Sequence, residues 1–415
     1  MSAPTVRIDK LDGVNNRLPP ERLQRRSQEG ALDFVQSAVN GNFTDAGTFR
    51  RREGSVKTLS GDDCHSFWAD AGVGYIVDGV DLMRVVLEAG EPTQVAIGQV
   101  TPGLQMSYAK PVDDVYASNG VQRFRIKDSG EVFEWGVPVP TRVPAISTSS
   151  GLLKAGRYQL VISHLSEDGE EGGTTFPVQV TLSDNGAIEL TDIPQRPGYS
   201  TLIYCTLCDG DIFYKVGATT GSAFTVLSTN EYGQRPIGLL MNQTPPGNIV
   251  RQLNGRLLVA AGNILYYSEP YNFGLYNPAR NYVPFPAPIT LVEPCQNGFF
   301  ISADQTYWVD GEISEADLNP VLPYKAIAGT GAPVPNQNAV WWMSERGAVV
   351  GTQDGQAQNI QEKTVAIDPG VVGASLFREQ DGMKQMISTM FGPQSTVMSA
   401  SSFMDAEIIR KETIL

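Results

Sequence analysis

Short alternating runs of apolar and polar residues, each broken by glycine, asparagine or aspartate, follow one another along most of this chain. Alternation with a period of two places one side of a strand in a core and the other towards solvent or a neighbouring layer. The stretch Ala38-Val-Asn-Gly-Asn-Phe-Thr-Asp-Ala-Gly-Thr-Phe-Arg-Arg-Arg-Glu-Gly54 predicts a β-hairpin. Val39 and Phe43 belong to its first strand, Thr48 and Phe49 open its second, and Thr44-Asp45-Ala46-Gly47 forms the turn. Asp45 can bond back to the backbone there, and Gly47 can take a positive φ at no steric cost.

Similar strand–turn–strand units recur. The run from Cys64 to Leu87 reads as three strands broken at Asp70-Ala-Gly and Asp78-Gly79, and Asn119-Gly120 marks a hairpin between Asp114 and Lys127. Further units lie at 256–268, 298–311 and 339–351. Comparable starts at Leu257, Phe299 and Val340, and at Gly74 and Val115, give a period of roughly forty residues, the size of a four-stranded propeller blade. The alternative is a set of ordinary β-sandwiches with coincident spacing. Between Val115 and Leu257 the interval is too long for one blade. It holds about seven further short strands in roughly ninety residues, the pattern of an immunoglobulin-like sandwich.

The predicted fold is therefore all-β: a β-propeller with an inserted immunoglobulin/fibronectin type III-like β-sandwich. Residues 1–140 supply an extended N-terminal strip and the first blades, 141–235 the insert, and 236–415 the remaining blades and ring closure. The strip, with Pro19-Pro20 enforcing extension, cannot build its own core. It is expected to lie across a neighbouring surface or to join a sheet built mostly from the far end of the chain. The terminal run 407–415 is expected to close the ring by pairing with strands from the N-terminal hairpin.

Composition narrows the function more than the fold. With 42 glycines, 27 prolines and 18% charged residues in 415, the chain favours turns and short strands over long helices. No apolar run reaches the length of a membrane helix, and the first residues lack the apolar core of a signal peptide. A net charge of −14 opposes gripping DNA, although it suits a wall past which DNA must slide. Cys64, Cys205, Cys208 and Cys295 are too scattered for a disulfide framework. Cys205-Thr-Leu-Cys208 reads as part of a strand, whose two sulfurs would point to opposite faces and remain inert. No metal site and no cofactor are expected.

The motifs Gly13-Val-Asn-Asn-Arg-Leu-Pro-Pro-Glu-Arg-Leu23, the hairpin 38–54, and Arg256-Leu-Leu-Val-Ala-Ala-Gly-Asn-Ile-Leu-Tyr-Tyr-Ser-Glu-Pro270 resemble the tail nozzle (tail tubular or stabilisation) proteins of short-tailed bacteriophages. The resemblance implies a virion structural protein made in the host bacterial cytoplasm. It further implies a ring of six copies below the head–tail adaptor, contacts to tail fibre or tail tip proteins, and double-stranded DNA crossing the axis unbound. Candidate contact residues between subunits or with the adaptor are Arg22, Arg25, Arg26, Arg50, Arg51 and Arg52, with salt bridges inside the propeller as the alternative. Candidate acidic channel residues are Asp62, Asp63, Asp113, Asp114, Glu312, Glu315 and Asp317, together with the acidic turn 167–171; ordinary solvated loops are the alternative.

Two other classes are weighed against this one. A receptor- or glycan-binding tail protein would need Trp68, Trp135, Trp308, Trp341 and Trp342 clustered on the surface, whereas their apolar strands favour core positions. A propeller hydrolase would need paired carboxylates. Ser302-Ala-Asp-Gln-Thr-Tyr-Trp308 only superficially matches a sialidase Asp-box, and two histidines leave imidazole chemistry little to work with. The chain is therefore expected not to be an enzyme.

Overall fold

In the computed structural model the described residues are 10–27, 30–44, 46–52, 54, 56–230, 232–311, 313, 317–380, 383–392 and 407–410. Among them strands dominate, helical backbone is confined to the 3-10 turn Pro20–Arg22 and a 3-10 position at Ile313, and no helix is long and apolar enough to cross a membrane. Five antiparallel four-stranded meanders carry the propeller-type pattern. The first comprises Cys64–Asp70, Val73–Asp78, Asp81–Glu88 and Glu91–Gln99; the second Ser107–Ala109, Val115–Ser118, Arg123–Ile126 and Val132–Glu134. The third is Ile249–Leu253, Arg256–Ala261, Ile264–Tyr267 and Tyr282–Pro284, and the fourth Leu291–Cys295, Gly298–Ser302, Thr306–Asp310 and Leu318–Leu322. The fifth is Ala332–Val334, Ala339–Ser344, Gly347–Thr352 and Ala357–Asn359. The repeat positions Gly74, Val115, Leu257, Phe299 and Val340 all fall on the second strand of their meander.

The chain divides into two compact units. One is Asp62–Ala261 with Leu265–Val283, holding the first three meanders (save Ile264 and Pro284) and the sandwich. Here the second meander is buried on both faces, which explains its continuous apolar strand. Val115 and Ala117 point one way and pack with Tyr75, Val77 and Leu82 of the first meander. Tyr116 points the other way, with Trp135, and meets Val250, Leu257 and Phe273 around the third. Sheets stacked through both faces are the packing logic of a propeller-type fold.

The other unit is Met1–Gly61, Gly262–Ile264 and Pro284–Leu415. The same logic governs the fifth meander: Val340, Trp342 and Val349 pack with Phe300 and Trp308 of the fourth. Trp341, Met343 and Val350 face the opposite way, towards Met386 of a three-stranded sheet formed by Val372–Gln380, Met383–Phe391 and Glu407–Arg410. The terminal strand Glu407–Arg410 therefore pairs with Met383–Phe391, not with the N-terminal hairpin as expected from sequence. The preceding hairpin offers an open edge much closer along the chain, and closing a shorter loop costs less entropy.

The N-terminal strip satisfies its backbone in two places. Gly13–Val14 pairs in parallel with Phe34 and Val35. Asn16 then exchanges hydrogen bonds with Ala366: its Nδ2 donates to the Ala366 carbonyl at 2.9 Å, and its Oδ1 accepts the Ala366 N–H at 2.6 Å. Arg17 Nε adds a bond to the Val365 carbonyl at 3.2 Å.

The insert is a sandwich of eight strands between Ala145 and Val226. Ala145–Leu153, Gly186–Thr191 and Phe224–Val226 form one sheet; Gly156–Ser166, Glu171–Thr174, Val178–Leu182, Tyr199–Thr206 and Phe213–Thr219 form the other. Tyr158, Leu160, Ile162, Ile188 and Ile203 are among the core residues between them.

Candidate functional site

The hairpin predicted from sequence is present as Gly41–Phe43 paired with Phe49–Arg51, and no third strand joins it among the described residues. Its register sets Phe43 opposite Phe49 and Gly41 opposite Arg51 on one side, and Asn42 opposite Arg50 on the other. The two phenylalanine rings pack at 5.3 Å and 58°, and the Phe49 ring lies over Gly41, where a Cβ would collide with it. Gly47 turns the chain at φ +78°, and its carbonyl accepts the Leu11 N–H at 2.8 Å. Asn42 and Gly47 are buried and anchor this ribbon, while Phe49, Arg50 and Arg51 are exposed. Asp45, the predicted turn residue, lies outside the described residues.

Of the other candidate arginines, Arg22 is exposed on the short 3-10 turn. Arg25 and Arg26 sit on the strand Gln24–Ser27, opposite Leu32 and Ala31. Arg52 is half-buried, its N–H bonded to the Asn40 carbonyl at 3.0 Å. Among the described residues, no ion pair engages Arg22, Arg50, Arg51 or Arg52.

The candidate acids differ in their local settings. Asp62 and Asp63 are exposed at the head of the first meander, and both their N–H groups donate to Asp78 Oδ1 at 3.1 Å. Asp113 is exposed, whereas its neighbour Asp114 is held by Arg125 Nε at 2.6 Å. Asp317 is exposed; Glu312 and Glu315 lie outside the described residues.

Asp114 belongs to a charge cluster that sequence reading missed. Arg125, on the third strand of the second meander, also binds Asp168 Oδ2 at 2.9 Å and Glu170 Oε2 at 3.1 Å, both from the acidic turn of the insert. Lys127 Nζ lies 3.8 Å from the same Asp168 oxygen. Burial holds the Glu170 carboxyl above its ordinary value against the opposing pull of Arg125, with Asp168 adding to the rise. Glu171, next in the turn, is buried and accepts hydrogen bonds from Tyr204 Oη at 2.7 Å and Ser163 Oγ at 3.0 Å. The acidic turn thus fastens the insert to a blade rather than standing free in solvent. Its signal in the sequence was Arg123-Phe-Arg125-Ile-Lys127, a basic stripe along one side of a strand. Beside the cluster, Gly173 bridges Gly238, and its Cα sits so close to the Met241 carbonyl that no side chain fits.

Trp135, Trp341 and Trp342 are fully buried and Trp308 nearly so, leaving no exposed tryptophan cluster among them. Trp135 Nε1 donates to the Phe273 carbonyl at 2.7 Å. The Asp-box-like segment is a hairpin turn in which Tyr307 Oη donates to Asp304 Oδ1 at 3.0 Å. The strand carrying Cys205 ends at Thr206, so the predicted divergence of two strand sulfurs does not apply. Cys205 is in the sandwich core, and Cys208, in the following turn, packs against the same core. Burial pushes the Cys205 thiol up to about 11, which keeps it protonated and unreactive at neutral pH. Among the described residues, no group of three or more His, Cys, Asp or Glu side chains could hold a metal ion. A shallow hollow of about 550 Å³ lies along 121–124 and 132–134 with Pro246, its charged groups Arg123 and Glu134 paired with each other at 3.6 Å.

No protein-family model matches the chain, and no curated protein sequence does. Solved structures that it is similar to include a chain of "BBS1N in complex with ARL6DN" (9% identity, 86% of this chain and 95% of that one, TM-score 0.34). Others are a chain of the "Mitotic Checkpoint Complex" (8%, 91% and 99%, 0.35) and Saccharomyces cerevisiae Sqt1 (9%, 80% and 97%, 0.26). Likeness at these TM-scores transfers no activity or partner.

Proposed function

We propose that this chain is a structural virion protein, the tail nozzle of a short-tailed bacteriophage. Six copies form a tube below the head–tail adaptor, tail fibre or tail tip proteins attach to it, and genomic DNA is retained in and ejected through its axis. The chain's role is mechanical, and no catalytic step is assigned to it. The observation that carries the reading is the domain plan the sequence resemblance implies: stacked four-stranded meanders interrupted after the second by a β-sandwich. The motif 13–23 supports it, because Asn16 and Arg17 tie this strip to 365–366 at the far end of the chain. A net charge of −14 suits a conduit that DNA must cross without sticking.

Native mass spectrometry of the purified protein tests the reading together with a DNA-binding titration at about 0.15 M salt, where screening is modest. The expected result is a hexamer with no saturable affinity for duplex DNA. A persistent monomer that binds a surface polysaccharide saturably would replace the nozzle with a receptor-binding role.

A further inference from the structure

The ribbon Gly41–Phe43/Phe49–Arg51 is an incomplete element by the standards of the rest of the chain. An isolated two-stranded hairpin is marginal in water and gains stability by packing on something. This one keeps Phe49 45% exposed and Val39, just before it, 68% exposed. Arg50 and Arg51 are exposed beside them, unpaired among the described residues in a chain of net charge −14.

A second protrusion has the opposite sign. In the first meander, the last partner of Asp81–Glu88 on its inner neighbour is Val86, opposite Val73. Residues 87–92 therefore extend past the sheet as a free two-stranded tip. There Glu88 stands directly opposite Glu91 across the Ala89-Gly90 turn, and Leu87 is 62% exposed. Like charges facing each other across a strand pair disfavour the hairpin, and no cation relieves them among the described residues.

We infer that the arginine ribbon of one copy docks on the Glu88/Glu91 tip of a second copy of this chain, the long side chains of Arg50 and Arg51, which leave opposite faces of the ribbon, reaching the two glutamates from either side of it. The partner is a second copy because each protrusion supplies the charge that the other lacks: two arginines with no ion pair among the described residues against two facing carboxylates. Two different surfaces meet, so the contact is head-to-tail, and repeating it closes a ring when the rotation per copy divides a full turn. The inference rests on the proposed ring only in taking the chain to self-associate.

Charge exchange tests it, read by sedimentation velocity at low and high salt. Arg50→Glu with Arg51→Glu, and separately Glu88→Arg with Glu91→Arg, each weaken assembly at least about ten-fold, as close interfacial charge pairs do. Mixing the two double variants restores association, because each then offers the surface that the other needs. Melting curves check that both fold; all four positions are exposed. Double variants that assemble like the wild type, or a mixture that stays dissociated, overturn this contact and leave the ring intact. A wild-type protein that remains monomeric throughout overturns both.

Discussion

Replacing Arg125 with methionine isolates the force that fastens the insert to the second meander. The change keeps most of the aliphatic volume and removes the guanidinium that reaches Asp114, Asp168 and Glu170 together. Those carboxylates are 20%, 8% and 18% exposed, so they would face one another with little solvent to screen them, and among the described residues Lys127, 3.8 Å from Asp168, would be the one cation left. Removing one member of a buried ion network costs about 3–5 kcal/mol; partial exposure puts this one near the lower end. At roughly 2–4 °C per kcal/mol for a body of this size, the melting temperature falls by about 6–12 °C. Glu170→Gln is the contrasting variant. Because burial already disfavours the Glu170 charge, the neutral amide costs less than about 1 kcal/mol. A carboxyl with a raised folded pKa favours the fold when protonated. That contribution is present below the ordinary value of 4.5 and lost as pH rises through the folded value, so Glu170→Gln also flattens the acid side of the stability curve. The assay is differential scanning fluorimetry with limited proteolysis of the segments joining insert and blade. An Arg125→Met protein that melts within about 1 °C of the wild type, with unchanged cleavage, would refute the fastening role.

Other expectations follow from single contacts. Asn16→Ala removes the reciprocal pair with Ala366 and lowers stability by about 1–2 kcal/mol in urea denaturation, whereas Asn16→Asp keeps one of the two bonds. Gly173→Ala drives a Cβ into the Met241 carbonyl, a backbone atom that cannot swing away, and costs about 1–3 kcal/mol or prevents the insert from docking, read by proteolysis. Burial lowers the folded pKa of His65 and of His164, in each case against or alongside smaller charge effects from Asp63 and Arg196. Their neutral forms therefore support the fold fully above the unfolded value of 6.5, and that support is lost as pH falls through the lowered folded values. A pH series of melting temperatures should show the drop, and His164→Gln should reduce it.

Local signals were legible and long-range ones were not. The turns at Asp70-Ala-Gly, Asp78-Gly79 and Asn119-Gly120 fall between the observed strands because glycine and asparagine state the backbone requirement directly. The period of the meanders was readable because Leu257, Phe299 and Val340 occupy equivalent buried second strands. The strand Glu91–Gln99 escaped notice: none of its residues is fully buried and it carries no clean apolar alternation. Asp114 read as a free acid since nothing near it in sequence reveals that Arg125 has turned towards it, nor that residues some forty positions on complete the cluster. Cys208 was placed on a strand because its apolar neighbours extend the pattern past Thr206, where the chain in fact turns.

A six-membered ring around an open axis is visible directly in one image. Electron microscopy of the purified protein should show closed six-membered rings in end view, each with a central hole wide enough for a DNA duplex, about 20 Å or more. Particles that are single copies, or assemblies of any number with a filled centre, would contradict it.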